Sequence, residues 1–250
     1  EGATVTGAID VKRRIQMAQH HTATHIINAA ARRVLGRHVN QAGAFKDVDK
    51  ARIDLTHYES LTPEQTDAIE KEANAIIREG IRIEKKFYTR NDAEQKFGVN
   101  IYQGGIAPGK MLRIVDIKDT DVEACGGTHL DNTAEAEKIK ILSSSKIQDG
   151  IVRITFVAGN AANQEQRQEE DTLQTLQRLL KCERDEIPGR AEELFTLWKD
   201  VVKKKKYVEK KLVSTKKYSG DVLAETARIL KTQTTHLVQT VQRFFKELGM

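Results

Sequence analysis

The sequence predicts an α+β domain with a mostly antiparallel sheet over residues 1–159, followed by an all-helical arm over residues 160–250. Three observations carry this prediction. Helical and strand periodicities alternate through the first 160 residues. Strand signals then stop after Gly159, and Glu, Gln, Lys, Leu and Arg take over with helical spacing. No Pro-rich, Ser-rich or low-complexity tether separates the two parts, so the boundary is a change of fold.

Each element has its own local cause. Between Ile15 and Leu35 apolar residues recur at helical spacing (Ile15, Ala18, Ile26, Ile27, Ala30, Val34), and Gly36 stands where a helix would stop. Ala51 to His57 alternates as a strand does, with Ile53 and Leu55 on one face. A second helix is marked by a cap at Thr62, Pro63 in its first turn, Gln65 three residues past the cap and Gly80 at its end. Strands are predicted at Ile81–Tyr88, Met111–Lys118, Lys138–Ser143 and Ile151–Val157, the last rich in β-branched residues. A short helix at Asp92–Phe97 and a loop from Gln103 through Gly104, Gly105, Ile106, Ala107 and Pro108 to Gly109 separate the first two of these strands.

Three amphipathic helices are predicted in the arm. Leu173, Leu176, Leu179 and Leu180 mark the first. Leu194, Leu197, Trp198, Val201 and Val202 mark the second, after a break at Ile187-Pro188-Gly189. Leu223, Ala227, Leu230, Leu237, Val241 and Phe244 mark the third. No internal repeat is visible in the sequence.

Composition bounds the function. At 250 residues, with 39% hydrophobic content, the chain has material for a core without disulfide staples. No stretch approaches the roughly 18 uncharged apolar residues of a membrane span, and no secretory leader pattern is present, so no membrane partner is expected. Two cysteines, Cys125 and Cys182, fit a reducing, cytoplasmic compartment. The net charge of +5 is uneven: residues 1–160 carry 23 basic and 22 acidic groups, residues 161–250 carry 18 and 14. Within the arm, Lys203 to Lys217 holds eight lysines against the single acid Glu209. A polyanion contact centred on Lys203, Lys204, Lys205 and Lys206 is one reading of this run, and a solvated helix face is the other.

The chemistry concentrates in two pairs. His21 and His25 are four apart on a helix, so both imidazoles leave the same face one turn apart. The glutamate of the H-E-x-x-H pattern is missing, Thr22 following His21, which argues against a zinc protease. About 100 residues on comes Cys125-Gly126-Gly127-Thr128-His129, where two glycines let the backbone turn tightly enough to aim both side chains at one centre. Three imidazoles and a thiolate form a tetrahedral set suited to borderline-soft Zn2+, and one zinc per chain is expected. His20, His38, His57 and His236 have no partner at ligand spacing and read as ordinary histidines.

The segment His21-Thr22-Ala23-Thr24-His25, the following Leu35-Gly36-Arg37-His38-Val39-Asn40-Gln41-Ala42-Gly43 and the later Cys125-Gly126-Gly127-Thr128-His129 resemble the editing domain of archaeal-type alanyl-tRNA synthetases. They are also similar to free-standing AlaX trans-editing proteins and, more distantly, to the editing domain of threonyl-tRNA synthetases. The resemblance covers about residues 4–159, and residues 160–250 correspond to the start of the helical extension that follows. The Gly104-Gly105 loop and the strand ending at Gly159 fit the archaeal branch. One segment departs from the family pattern: a glycine-containing turn after the cysteine motif is replaced by Asn132-Thr133-Ala134-Glu135-Ala136-Glu137-Lys138.

The resemblance implies hydrolysis of the ester that joins serine or glycine to the 3′ end of alanine tRNA, with His21, His25, Cys125 and His129 holding zinc. An alanine-activating site cannot exclude smaller glycine, and serine adds only a hydroxyl, so a second pocket must remove what the first admits. By the same resemblance Thr24 and Gln41 border that pocket. Backbone amides of Gly126, Gly127 and Thr128, or of Gly43 and Ala44, are candidate oxyanion donors. ATP would serve only an aminoacylation domain lying upstream, and the arm would lead to a further C-terminal module used for tRNA contact and homodimer formation. Two other readings stand beside this one: a free-standing trans-editing deacylase, and a non-catalytic RNA-binding module stapled by zinc.

Overall fold

The computed structural model describes residues 4–103, 105, 107–207, 209 and 211–250, so Gly104, Ile106 and Lys210 of the segments named above lie outside the described residues. The chain divides into two compact units, one ending at Gln164 and one running from Glu165 to Met250. The fold is α+β with antiparallel sheets and helices at the C-terminal end.

The first unit opens with α1 (Val11–Leu35), capped by Asp10, whose carboxylate accepts the Arg13 amide. Strands β1 (Gln41–Lys46) and β2 (Ala51–Thr56) form a hairpin, followed by α2 (Pro63–Glu79). In α2 the predicted start is realised in full: Thr62 Oγ1 accepts the Gln65 amide and Gln65 Oε1 accepts the Thr62 amide, while Gly80 closes the helix at φ 63°. Then come β3 (Ile83–Thr89), α3 (Arg90–Phe97), β4 (Met111–Ile117), β5 (Asp121–Ala124), β6 (Ile139–Gln148) and β7 (Ile151–Ala158). One sheet has the order β1-β2-β7-β6, the other β3-β4-β5, and every pairing is antiparallel.

The core sets Ile26, Ile27 and Ala30 of α1 with Ile69 and Ile76 of α2 and the sheet residues Ile53, Leu55, Ile154 and Phe156, all fully buried. This fixes the rotation of α1 and therefore which of its faces carries His21 and His25. Strands β1 and β5 were not expected from sequence. β1 contains no β-branched residue and has a register shift between Gln41 and Gly43, so its alternation is broken. In β5 the buried positions are Asp121 and Glu123 rather than Val122, which reverses the usual pattern.

The Asn132–Lys138 segment shows how this chain makes its turn without glycine. Asn132 Oδ1 accepts the Ala134 amide, Thr133–Ala136 forms a 3-10 turn, and Glu137 itself adopts φ 57°. That left-handed residue is held by Asn163 Nδ2, which donates to Glu137 Oε2 at 2.7 Å.

The second unit contains most of α4 (Asn160–Leu180), then α5 (Ile187–Trp198), α6 (Val222–Leu230) and α7 (Leu237–Leu248). Three expectations need correction. The Ile187-Pro188-Gly189 break is the first turn of α5, with Pro188 where a missing amide costs nothing. The single helix expected from Leu223 to Phe244 is two helices, because Lys231 takes a left-handed conformation that ends α6. There is also an internal repeat of backbone form. Left-handed Lys181 recurs as Lys231, the 3-10 turn Arg184–Glu186 as Thr234–His236, and α5 as α7, at a constant offset of 50. Core positions follow the same offset: Leu173 with Leu223, Leu180 with Leu230, Ile187 with Leu237 and Leu194 with Phe244.

The lysine-rich stretch is not a helical face. α5 continues into a π turn at Lys199–Lys203, and the described residues from Lys205 to Ser219 have no regular structure. Part of this stretch is tied to α5. Glu193 accepts the amides of Val213 and Ser214, Arg190 donates to the Leu212 carbonyl, and a Cβ on Gly189 would sit 2.8 Å from the Lys216 carbonyl oxygen. Lys203 Nζ lies 5.1 Å from the Trp198 ring centre, Lys204 pairs with Asp200 at 2.8 Å, and Lys205 and Lys206 are exposed.

Candidate metal centre

α1 and the loop after β5 bring His21, His25, Cys125 and His129 together, with one donor atom from each lying within 4.8 Å of the others. Cys125 Sγ is 3.4 Å from His21 Nε2 and 3.2 Å from His129 Nε2, and the ring centres of His21 and His129 are 4.1 Å apart. His25 and His129 are buried, while His21 and Cys125 are half-buried.

The groups behind the four donors hold their orientation. His25 Nδ1 lies 3.0 Å from Asp121 Oδ2 and 3.5 Å from Glu123 Oε2, which leaves Nε2 for the centre. Asn28 Nδ2 donates to Glu123 Oε1 at 3.1 Å. Thr22 Oγ1 accepts the Leu130 amide at 3.1 Å and lies 3.5 Å from His129 Nδ1, so His129 also turns Nε2 inward. Carboxylate and hydroxyl partners on the outer imidazole nitrogens are the usual supports of metal-bound histidine. Arg113 Nη1 donates to the carbonyls of Cys125 and Gly127 at 2.8 and 2.9 Å and so fixes the loop itself.

The loop's glycines differ in their duty. A Cβ on Gly127 would fall 1.9 Å from His21 Cε1, whereas at Gly126 it would meet nothing within 4 Å. Only a residue without a side chain lets His21 lie against the loop at that point.

Electrostatics favour exchange of protons for a cation. Burial pushes the Cys125 thiol up, but hydrogen bonds from His129, His21 and His25 outweigh it and bring the thiol to about 2. Burial lowers His25, yet the Glu123 charge and the Asp121 hydrogen bond raise it to about 10. His129 is driven down to about 3, chiefly by burial. The cluster therefore favours a thiolate at Cys125 and neutral imidazoles at His21 and His129, the forms in which these groups donate to a divalent ion. Sulfur and nitrogen donors at this spacing, with outer partners on His25 and His129 and a loop shaped to His21, fit zinc.

Beside the cluster lies a cavity of about 330 Å3 lined by Met17, His21, Ala44, Phe45, Lys46 and Thr128. Thr128 and His21 are both among its lining residues. Thr24 and Gln41 are not among its lining residues. Thr24 is 1% exposed and its hydroxyl donates to the His20 carbonyl at 2.8 Å, the back-bond a helical threonine makes when it faces packed protein. Gln41 heads β1, and its amide donates to Gln103 Oε1 at 3.0 Å. Among the described residues, no protein acceptor takes the amides of Gly126, Gly127 or Thr128. Asp121, Glu123, Thr22, Arg113 and Lys46 were not anticipated. An acid alternating with apolar residues just before the cysteine, Asp121-Val122-Glu123-Ala124, was the available signal.

His20 is a core histidine: it is fully buried, and its Nδ1 lies 2.5 Å from the Asp47 carbonyl at the tip of the β1–β2 hairpin. His38 Nε2 and His57 Nδ1 are 2.9 Å apart and share one hydrogen bond. No helix of the described residues is long and apolar enough to cross a membrane.

Residues 112–155, which include the Cys-x-x-x-His loop, match the family described as the threonyl and alanyl tRNA synthetase second additional domain. The chain is 45% identical over 218 residues to the alanine–tRNA ligase of Methanococcus maripaludis, covering 87% of this chain and 24% of that protein. It is 38% identical over 255 residues to that of Methanopyrus kandleri (99% and 28%) and 42% identical over 248 residues to that of Halobacterium salinarum (99% and 26%). Over most of its length the chain is homologous to archaeal alanine–tRNA ligases, at 38–45% identity. It spans about a quarter of the length of these curated relatives.

Proposed function

We propose that this chain is a zinc-dependent aminoacyl-tRNA deacylase that hydrolyses seryl and glycyl esters of alanine tRNA and leaves the alanyl ester intact. The observation that carries the proposal is a four-donor centre opening onto a cavity of about 330 Å3, in a chain homologous to alanine–tRNA ligases. A centre that only stapled the fold would need no such cavity at its side. His21, His25, Cys125 and His129 hold the zinc, which supplies positive charge for orienting and polarising the bound ester.

The remaining work falls to the protein. Hydrolysis adds water across the ester: its hydroxyl joins the acyl carbon, the bond from that carbon to the ribose oxygen breaks, and a proton passes to the ribose oxygen. Negative charge gathers on the carbonyl oxygen as the water adds. The unengaged amides of Gly126, Gly127 and Thr128, fixed by Arg113 on the loop's carbonyl side, are suited to receive it. The Thr128 hydroxyl on the cavity wall is a polar group that a seryl side chain can meet. Thr24 follows His21 by three residues on α1, and Gln41 begins the hairpin; their part in selection is to shape the pocket rather than to contact the ester. Alanine tRNA as partner, phosphate contact by Lys203, Lys204, Lys205 and Lys206, pairing of copies through a further C-terminal module and a cytoplasmic location complete this reading.

The test is the fate of three esters. Purified chain is incubated with seryl-, glycyl- and alanyl-tRNA(Ala), and ester is followed over time. Loss of the first two with survival of the third is expected. Binding of the tRNA with every ester as long-lived as in buffer would leave the non-catalytic RNA-binding module in its place.

A further inference from the structure

We propose that Lys46 is the anion contact that seats the RNA's 3′ end in the cavity, holding the phosphate of the terminal nucleotide while its ester reaches the metal centre. This rests on the deacylase reading and adds a substrate-positioning residue to it.

Lys46 is the last residue of β1 and lines the cavity together with the zinc-ligand candidate His21 and with Thr128. It is half-buried, and among the described residues no hydrogen bond or ion pair holds its ammonium, the Cys125 thiolate and the Glu123 carboxylate acting on it only at longer range. An ammonium partly removed from water without a partner is unfavourable, and a protein keeps one where a ligand supplies the missing anion. The nearest acid in sequence does not serve, because the Asp47 carboxylate faces Arg13 at 3.7 Å and accepts the Val48 amide at 2.8 Å.

The hairpin tip is fixed, so the position of Lys46 is set in advance. His20 Nδ1 meets the Asp47 carbonyl at 2.5 Å from the buried side of α1, and the Asp47 amide donates to the Lys50 carbonyl at 3.1 Å. His20 and His21 are neighbours on α1, so one pins the lysine's strand while the next faces the cavity. An aminoacyl ester of a terminal nucleotide has one anion within a few bonds of the reacting carbon, the phosphate on the same ribose. A compact ammonium suits a single phosphate oxygen, where a bidentate fork is not required.

The experiment compares two substrates of which only the first carries that phosphate, together with the rest of the RNA: seryl-tRNA(Ala) and 3′-O-seryl-adenosine. Lys46→Met is expected to reduce kcat/KM on the tRNA ester about ten- to hundredfold more than on the adenosine ester, mainly through KM, as loss of a hydrogen bond to a charged group does. Lys46→Arg restores most of it. The same factor of loss on both esters, or no loss on either, overturns the proposal. Wild-type cleavage tests the deacylase reading separately. Should wild type cleave neither ester, Lys46 is judged by binding of a CCA-ended oligonucleotide carrying serine in amide linkage. Weaker binding by Lys46→Met, with a salt slope shallower by about 0.7, supports the contact, and unchanged affinity and slope overturn it.

Discussion

The α-carbon of Gly127 packs against the His21 ring so closely that an added methyl would lie 1.9 Å from Cε1, while the adjacent Gly126 faces open space. Substitution of these neighbours therefore separates a shaped contact from general loop flexibility. Gly127→Ala is expected to displace His21 and weaken zinc binding by about 10- to 100-fold, the range seen when a ligand's support is lost. Gly126→Ala is expected to keep wild-type affinity. Competition titration with a chromophoric chelator reads both, and equal affinities for the two variants would contradict the geometry.

Asp121 is the second support. Its Oδ2 lies 3.0 Å from His25 Nδ1, and its buried Oδ1 has no hydrogen-bond partner, the nearest cation being Arg32 at 3.7 Å. Asp121→Asn keeps the volume but removes the charge that holds His25 as an Nδ1–H donor. Zinc affinity should drop by about 10- to 100-fold, and nitrogen NMR of the His25 ring should show mixed tautomers. A single unchanged tautomer in the variant would assign the orientation to packing instead.

Glu70 gives a pH-dependent test of the core near the α2–β6 contact. Burial raises its carboxyl pKa, while one oxygen accepts the Ile141 amide at 2.7 Å. Because the folded pKa lies above the unfolded one, the folded state binds the proton more tightly. Wild-type stability therefore gains as pH falls through the raised folded value toward the ordinary carboxylate value, and this gain is absent at neutral pH. Glu70→Gln keeps an acceptor without the charge, so it should be at least as stable as wild type at pH 7, with the difference shrinking as pH falls. Denaturant midpoints at pH 7 and pH 4.5 check this, and a variant disadvantage at pH 7 would refute it.

For the lysine-rich stretch, reversal to Glu at Lys203, Lys204, Lys205 and Lys206 should weaken tRNA binding and flatten its salt dependence if these ammoniums meet phosphate. Each lost contact to duplex RNA should reduce the slope by up to about one. Since Lys203 lies near Trp198 and Lys204 pairs with Asp200, the exposed Lys205 and Lys206 should account for most of the change. An unchanged affinity and slope would leave these lysines a solvation role.

What was legible in the sequence was what depends on neighbours along the chain. The Thr62–Gln65 box and Gly80 end α2 through contacts within a single turn, so their signal is complete locally. The two metal pairs were readable because each pair is set by helix or loop spacing, although their meeting across 100 residues depended on the fold. β5 was missed because its inward positions carry Asp121 and Glu123, placed there for His25, and this inverts the alternation that identifies a strand. The repeat in the second unit was hidden because its turns are left-handed at Lys181 and Lys231 rather than at glycine. Thr24 shows the opposite limit: the resemblance put it at the pocket, whereas its hydroxyl bonds its own helix at the His20 carbonyl.

Metal content and deacylation measured on one preparation test the central claim most directly. Purified chain is assayed for zinc and for hydrolysis of seryl-tRNA(Ala), alongside Cys125→Ala, which removes the sulfur on which His21 and His129 converge. One zinc per wild-type chain with rapid loss of the seryl ester, and loss of both zinc and hydrolysis in the variant, is the predicted result. A folded wild-type chain without zinc, or a zinc-loaded chain that leaves the seryl ester intact, would contradict it.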